Sequence, residues 1–226
     1  MGGNYRWAFP YISSDISRAV EVGSRDLIDA VEIAKEFSCS VDSFEPDPRA
    51  INLCRQNSEK SREVEMRLFE FALGDANNVR SFNVYALGDS SLSNHKYRET
   101  SDIIQVEVRR FDSLGIQAPD LLVMDVQGNE GEVLAGFGEE LKKVRYDIFE
   151  SAASSIYENK MDFKELHQFL KRSGFKFCAT NQSGKGLLRF KVMRLRNIFY
   201  SLRKSRFKDA NKFEGFFDAS YENRNQ

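Results

Sequence analysis

SRAVEVGSRDLIDAVEIAKEFSCSVDSFEPDP, residues 17–48, decides how the rest of the chain is read. Arg18 to Val22 is a short apolar-leaning run, and Gly23-Ser24-Arg25-Asp26 breaks it. From Leu27 to Phe37 the apolar residues Leu27, Ile28, Ala30, Val31, Ile33, Ala34 and Phe37 fall on one face of a helix. Val41 to Pro46 is extended again. A helix between two strands this close predicts a right-handed βαβ crossover. Glu21 and Glu45 stand where the two strands should end. In open α/β sheets ligands bind outside the carboxyl ends of the strands. A carboxylate there suits ribose hydroxyls, and Gly23 lets backbone approach a ligand with no Cβ in the way. The plain alternative is a βαβ unit with ordinary turn residues.

The same alternation of strand and helix runs on to Thr180. Asp47-Pro48 caps a second helix, expected to reach about Asn57 with Ile51, Leu53 and Cys54 inward. Glu63 to Leu73 reads as a third strand, Val79 to Tyr85 as a hairpin strand, and Ile103 to Val108 as another. Asp120 to Val126 is a near-continuous apolar run, the pattern of a strand covered on both faces, and it ends in Asp125. A helix from Glu130 through Leu141, a strand ending at Glu150, a helix over Phe163–Ser173 and a strand over Phe175–Thr180 follow. Phe213 to Arg224 holds a last strand. The expected fold is α/β: a doubly wound, mostly parallel sheet with a β-hairpin excursion. Residues 1–16, with Tyr5, Trp7, Phe9 and Tyr11, read as an aromatic segment packed on the domain formed by residues 17–226; a lid over the site is the other use for it.

Composition narrows the partners. The formal net charge is −1, with 41% hydrophobic and 30% charged residues, so a broad basic surface for nucleic acid is not expected. Cys39, Cys54 and Cys178 are odd in number and lack CxxC spacing, which suits reduced thiols in a cytoplasmic protein better than disulfides or zinc. No signal peptide and no membrane span are expected. One segment differs in kind. Residues 184–208 carry nine Lys or Arg and no acid, and Leu188, Val192, Leu195, Phe199 and Leu202 recur at helical spacing. This predicts a basic amphipathic helix, inserted at about 184–212, that contacts an anionic membrane at its inner face or an acidic partner, or simply solvates its charged side.

Glu21, Glu45, Asp125 and Glu150 would ring one crevice on successive strands. GxGxxG and Walker A motifs are both missing from the sequence, which favours a ligand with ribose but no phosphates. S-adenosylmethionine is such a ligand. Val20 to Asp26, Phe44 to Pro48, Ala72 to Asp75, Val106 to Leu114 and above all Leu121 to Leu134 resemble, in order and spacing, the FkbM-type methyltransferases. The resemblance covers Ser17 to Thr180, with Phe216 to Arg224 similar to the family's last strand. It implies the class I methyltransferase fold, with seven strands and the last antiparallel. It implies S-adenosyl-L-methionine as donor and O-methylation of a hydroxyl on a sugar, glycan or related small molecule. By position, Glu21, Gly23 and Ser24 would line the methionine end, Glu45 would take the ribose, Ala72 and Leu73 would frame adenine, and Asp125 would sit by the methyl group. Candidate bases are Asp125, Glu130 and His95; His95 sits in the Gly88–Arg98 loop, where it has either an acceptor contact or no role. No residues have specific metal-ligand spacing.

Three positions depart from the family pattern. Leu27 stands where many relatives have a second glycine, Val123 replaces a common lysine, and Gln127 replaces a common glutamate. The last two leave room for another reading: a catalytically altered module of this fold that serves as a membrane or partner adaptor through its basic helix.

Overall fold

The computed structural model describes residues 5–85, 90–96, 99–152, 157–182 and 216–223. The expected crossover is there. β1 (Arg18–Val22) leads through α1 (Ile28–Phe37) to β2 (Ser40–Phe44), paired parallel to β1. Asp47 caps α2 (Pro48–Lys60), its side chain accepting from the Arg49 amide. Ile51 and Cys54 face inward, but Leu53 is 42% exposed, because it lies off the narrow stripe those two define.

The predicted third strand is two strands in two sheets. β3 (Met66–Phe69) pairs with β2, while β4 (Ala72–Leu73) pairs parallel with β6 (Asp102–Arg109). β5 (Asn78–Val84) completes this second sheet, antiparallel to β6. The excursion is therefore a three-stranded sheet, β4-β6-β5, rather than a bare hairpin. It has its own small core of Ala72, Phe82, Val84, Val106 and Val108.

β7 (Leu121–Met124) is buried at every position. α3 (Glu130–Phe137) is shorter than expected: Gly138, at φ 54, ends it, and a 3-10 stretch continues to Lys143. β8 (Tyr146–Ala152) runs past Glu150, so that acid lies within the strand and not at its end. After α4 (Phe163–Arg172) come β9 (Phe175–Gln182) and β10 (Phe216–Asn223). β10 inserts between β8 and β9 and runs antiparallel to both. The main sheet has seven strands in the order β3-β2-β1-β7-β8-β10-β9. The basic segment about 184–212 lies outside the described residues. Among the described residues no helix is long and apolar enough to cross a membrane.

The sheet separates two cores. Val20, Val22, Leu122, Met124 and Phe149 face α3 and α4. Ala19, Val41, Leu121, Val123 and Ile148 face α1. Tyr5 and Ala8 join the second core, and Phe9 meets Phe37 edge-on at 5.2 Å, so the aromatic leading segment packs on the α1 side. His167 Nδ1 lies 2.9 Å from the Tyr221 hydroxyl inside the fold.

Candidate functional site

Strand register sets the site. Val22 is level with Phe44 and with Met124, and Met124 is level with Phe149. The next residue of each strand therefore lies in one row across the sheet: Glu45, Gly23, Asp125, Glu150. All four line a cleft of about 320 Å³ at the carboxyl ends of the strands. Ala72, Leu73, Phe82, Leu92 and Val126 supply apolar lining, and Arg25, Asp47, Gln127 and Asn129 polar lining.

Glu45 is fixed by two backbone amides. Its Oε2 accepts from Arg25 N and its Oε1 from Asp47 N, both at 2.8 Å. Burial pushes its carboxyl up to about 7, against the two amides that favour the charge. Each carboxylate oxygen can accept a second hydrogen bond. A fixed carboxylate beside an apolar wall built by β4 and Leu92 is the donor and surface set that a ribose and its base need, so the residues present fit a nucleoside.

The turn after β1 is tightly constrained. Gly23 has φ +86, and a Cβ there would fall 2.0 Å from the Asp125 carbonyl oxygen. The missing side chain makes room first for the β7 backbone. Arg25 and Leu27 are both left-handed, at φ 50 and 63, so the turn keeps glycine-like geometry without a second glycine.

Of the residues singled out by sequence, Gly23, Glu45, Ala72, Leu73 and Asp125 meet in the cleft. Glu21 and Ser24 lie beneath it: Ser24 Oγ and Ser43 Oγ both donate to Glu21 Oε2, the latter at 3.0 Å, and burial pushes Glu21 up to about 8. Glu130 is 4% exposed behind the β7 turn, accepts from Gly128 N at 3.2 Å, and is pushed up to about 7 by burial. His95 is half-buried, with its ring edge-on to Tyr157 at 5.4 Å and its amide on the Tyr85 hydroxyl at 3.0 Å. His95 is not among the cleft-lining residues, and its neighbour Tyr157 donates its hydroxyl to Gln127 Oε1.

Asn129 lies in the Leu121–Leu134 block but drew no role from the sequence, and it ties residues 90–96 to the floor. Its Nδ2 donates to Ser91 Oγ at 3.1 Å, and Ser93 Oγ donates to its Oδ1 at 3.0 Å. Ser91 Oγ also donates to the Gln127 carbonyl at 2.8 Å. The three serines flanking Leu92 read as a polar loop. Only the fold shows that Ser91 and Ser93 are buried. Among the described residues no group of three or more His, Cys, Asp or Glu is arranged to hold a metal ion.

A family model described as the methyltransferase FkbM domain matches residues 22–177. The 2-O-methyltransferase NoeI of Sinorhizobium fredii is 33% identical over 147 residues, covering 56% of this chain and 59% of that protein. The chain thus spans well under two thirds of this relative. The crystal structure of a methyltransferase FkbM from Methylobacillus flagellatus KT superposes with a TM-score of 0.54 at 16% identity, over 74% of this chain and 40% of that one. The magnesium protoporphyrin IX methyltransferase of Synechocystis PCC 6803, solved with bound SAM, gives 0.53 at 9% identity, over 96% and 74%. These two likenesses establish the class I methyltransferase fold.

Proposed function

The chain belongs to the FkbM methyltransferase family, and on that premise we propose that it is an S-adenosylmethionine-dependent O-methyltransferase acting on a hydroxyl of a sugar, glycan or related small molecule. The observation that carries this reading is the level row of Glu45, Gly23, Asp125 and Glu150 at the mouth of one cleft. The 2-O-methyltransferase relative supports transfer to oxygen.

The bound cofactor would supply an electrophilic methyl group on a sulfonium. Glu45 would hold the ribose, and Ala72, Leu73, Phe82 and Leu92 would enclose the base. Asp125 would orient the acceptor hydroxyl and take its proton. Glu130, closed off behind the turn, would keep that turn in shape. Positioning supplies most of the rate for such an already reactive donor.

Calorimetric titration of S-adenosylmethionine and S-adenosylhomocysteine into wild type and Glu45→Ala tests the cofactor. Binding that is lost in the variant supports the reading; no binding by the wild type sinks it. Methyl transfer from labelled cofactor to a glycan panel tests the acceptor class.

The reading extends to location: a cytoplasmic enzyme held at the inner membrane face by the basic segment. Gln182 and Phe216, which flank that segment, lie at the ends of β9 and β10, where Gln182 pairs with Phe217 and Phe216 with Ala152 at the cleft-bearing end of β8. Contact through 184–212 would therefore bring the cleft toward the surface. Charge reversal at Arg194, Arg196, Arg203 and Lys204 should abolish co-sedimentation with anionic vesicles, and unchanged co-sedimentation would remove this part of the proposal.

A further inference from the structure

Gln127 makes a closed set of hydrogen bonds at the end of the cleft away from Glu45. Its Nε2 donates to Asp125 Oδ1 at 2.6 Å and to Glu150 Oε2 at 3.1 Å. Its Oε1 accepts from the Tyr157 hydroxyl. The valences match, since a primary amide offers two N–H donors and one carbonyl. The reverse orientation would set a carbonyl against two carboxylates, so the neighbours fix which way the amide points.

Both ends of this set are anchored. Gln127 has φ 53, a left-handed conformation that is costly for a non-glycine residue and is kept here. Tyr157 is 5% exposed, and its ring fills the space over Gly128, where a Cβ would come within 2.4 Å of it. A backbone bridge joins Tyr157 to His95, and Ser91 holds the Gln127 carbonyl. A glutamate at 127 would bring three carboxylates together, and like charges at that range retain a proton.

We propose that Asp125, Gln127 and Glu150 form the acceptor subsite, that it binds two neighbouring hydroxyls of a neutral polyol, and that Gln127 is the positioning residue that spaces the two acids. The proposal rests on the methyltransferase reading and names its acceptor chemistry. A carboxylate has about four lone-pair sites, so the bond from Gln127 does not by itself exhaust the acceptor capacity of either acid. Two acids held on one nitrogen match two hydroxyls on adjacent carbons, one to each. The hydroxyl on Asp125 is next to the Gly23 turn and is the one methylated. As its O–C bond formed, the S–C bond of the donor would break with the electron pair left on sulfur, and Asp125 would take the O–H proton. The hydroxyl on Glu150 fixes the ring. Carboxylate lining repels an anionic group at this spot.

The test uses the full chain, labelled with ¹⁵N and saturated with S-adenosylhomocysteine. The Gln127 side-chain amide signals are assigned by their loss in Gln127→Glu. Methyl α-D-mannopyranoside, whose 2-, 3- and 4-hydroxyls form neighbouring pairs, and its 3-deoxy counterpart, which has no such pair, are titrated as probes. The mannoside should move the Gln127 signals, and the 3-deoxy sugar should bind about tenfold more weakly or worse. Glu150→Gln should weaken the mannoside about tenfold while leaving S-adenosylhomocysteine affinity within about threefold. In Gln127→Glu, mannoside affinity should be best at low pH, where one of three carboxyls keeps a proton and stands in for the amide donor. It should fall as pH rises. Signals that stay still, equal binding of both sugars, an indifferent Glu150→Gln, or a Gln127→Glu pH profile parallel to wild type each overturn the subsite. Failure to bind S-adenosylhomocysteine is a separate result, and it overturns the methyltransferase reading together with the subsite.

Discussion

The α-carbon of Gly23 packs against the backbone carbonyl of Asp125, so closely that a Cβ on Gly23 would lie 2.0 Å from that oxygen. The contact joins the turn after β1 to the end of β7, the two places that frame the centre of the cleft. Gly23→Ala meets two obstacles, the clash and a φ of +86. Its stability should fall by about 2–4 kcal/mol. Urea denaturation reads the loss, and S-adenosylhomocysteine affinity should fall with it as Asp125 is displaced.

Leu27 is an unusual case, since glycine looks like the better residue for φ 63. Relief of left-handed strain is worth about 1 kcal/mol. The leucine is 1% exposed in the α1-side core, however, and removing a buried leucine side chain costs about 2–5 kcal/mol. Burial wins. Leu27→Gly should destabilise the protein by about 1–4 kcal/mol, measured as a lower urea midpoint. An unchanged or higher midpoint would mean that strain dominates this turn.

Glu45 carries a pH signature for ligand binding. Its carboxyl titrates near 7 because burial opposes the charge. Protonation removes an acceptor site that a ribose hydroxyl would use. Affinity for S-adenosylhomocysteine should therefore weaken as pH falls through about 7, with Glu45→Gln binding more weakly at high pH and showing a flat profile. Calorimetry between pH 5.5 and 8.5, values chosen to be roughly 1.5 units either side of that pKa, decides it.

Glu21 carries a signature for stability instead. Its folded pKa, about 8, lies above its ordinary value of 4.5. Between those values the folded protein keeps a proton that the unfolded chain releases. Stability from this group is full below about 4.5 and is lost as pH rises to about 8. Glu21→Gln cannot ionise and can still accept from Ser24 and Ser43. It should match wild type near pH 5 and exceed it at pH 8, by an amount on the order of a few kcal/mol. Thermal melts across that range would expose an error if the two curves stay parallel.

The βαβ start, β7 and the alternation of strands and helices along the chain were legible because apolar runs of fixed period report burial on both faces of a parallel sheet. The depth of an acid was not. Glu45 and Asp125 stand one residue past the ends of β2 and β7 and face the cleft. Glu21 stands one residue before the end of β1 and is sealed against α1. A single position separates the two outcomes, and strand ends cannot be read from sequence that finely. The break between Phe69 and Ala72 was hidden for a related reason, since apolar residues continue across it while the chain passes from one sheet to another. The serines around Leu92 look like solvent loop because hydroxyls satisfied by Asn129 and by backbone groups leave no hydrophobic trace.

The second sheet has its own core, and it carries the apolar half of the cleft, while the main sheet carries the acids. The halves are joined by Leu73, which belongs to the core under α3 and α4, by polar links such as Arg80 to Glu132 and Ser91 and Ser93 to Asn129 and the Gln127 carbonyl, and by the close approach of Gly136 to the Gly74 carbonyl. A small sheet with its own core is expected to open at lower free energy than the whole fold. Slow ligand exchange then needs no unfolding of the seven-stranded sheet. Amide protection should fall into two classes, with β4–β6 exchanging ahead of β1, β2 and β7, and a bound nucleoside bridging both walls should draw the two classes together.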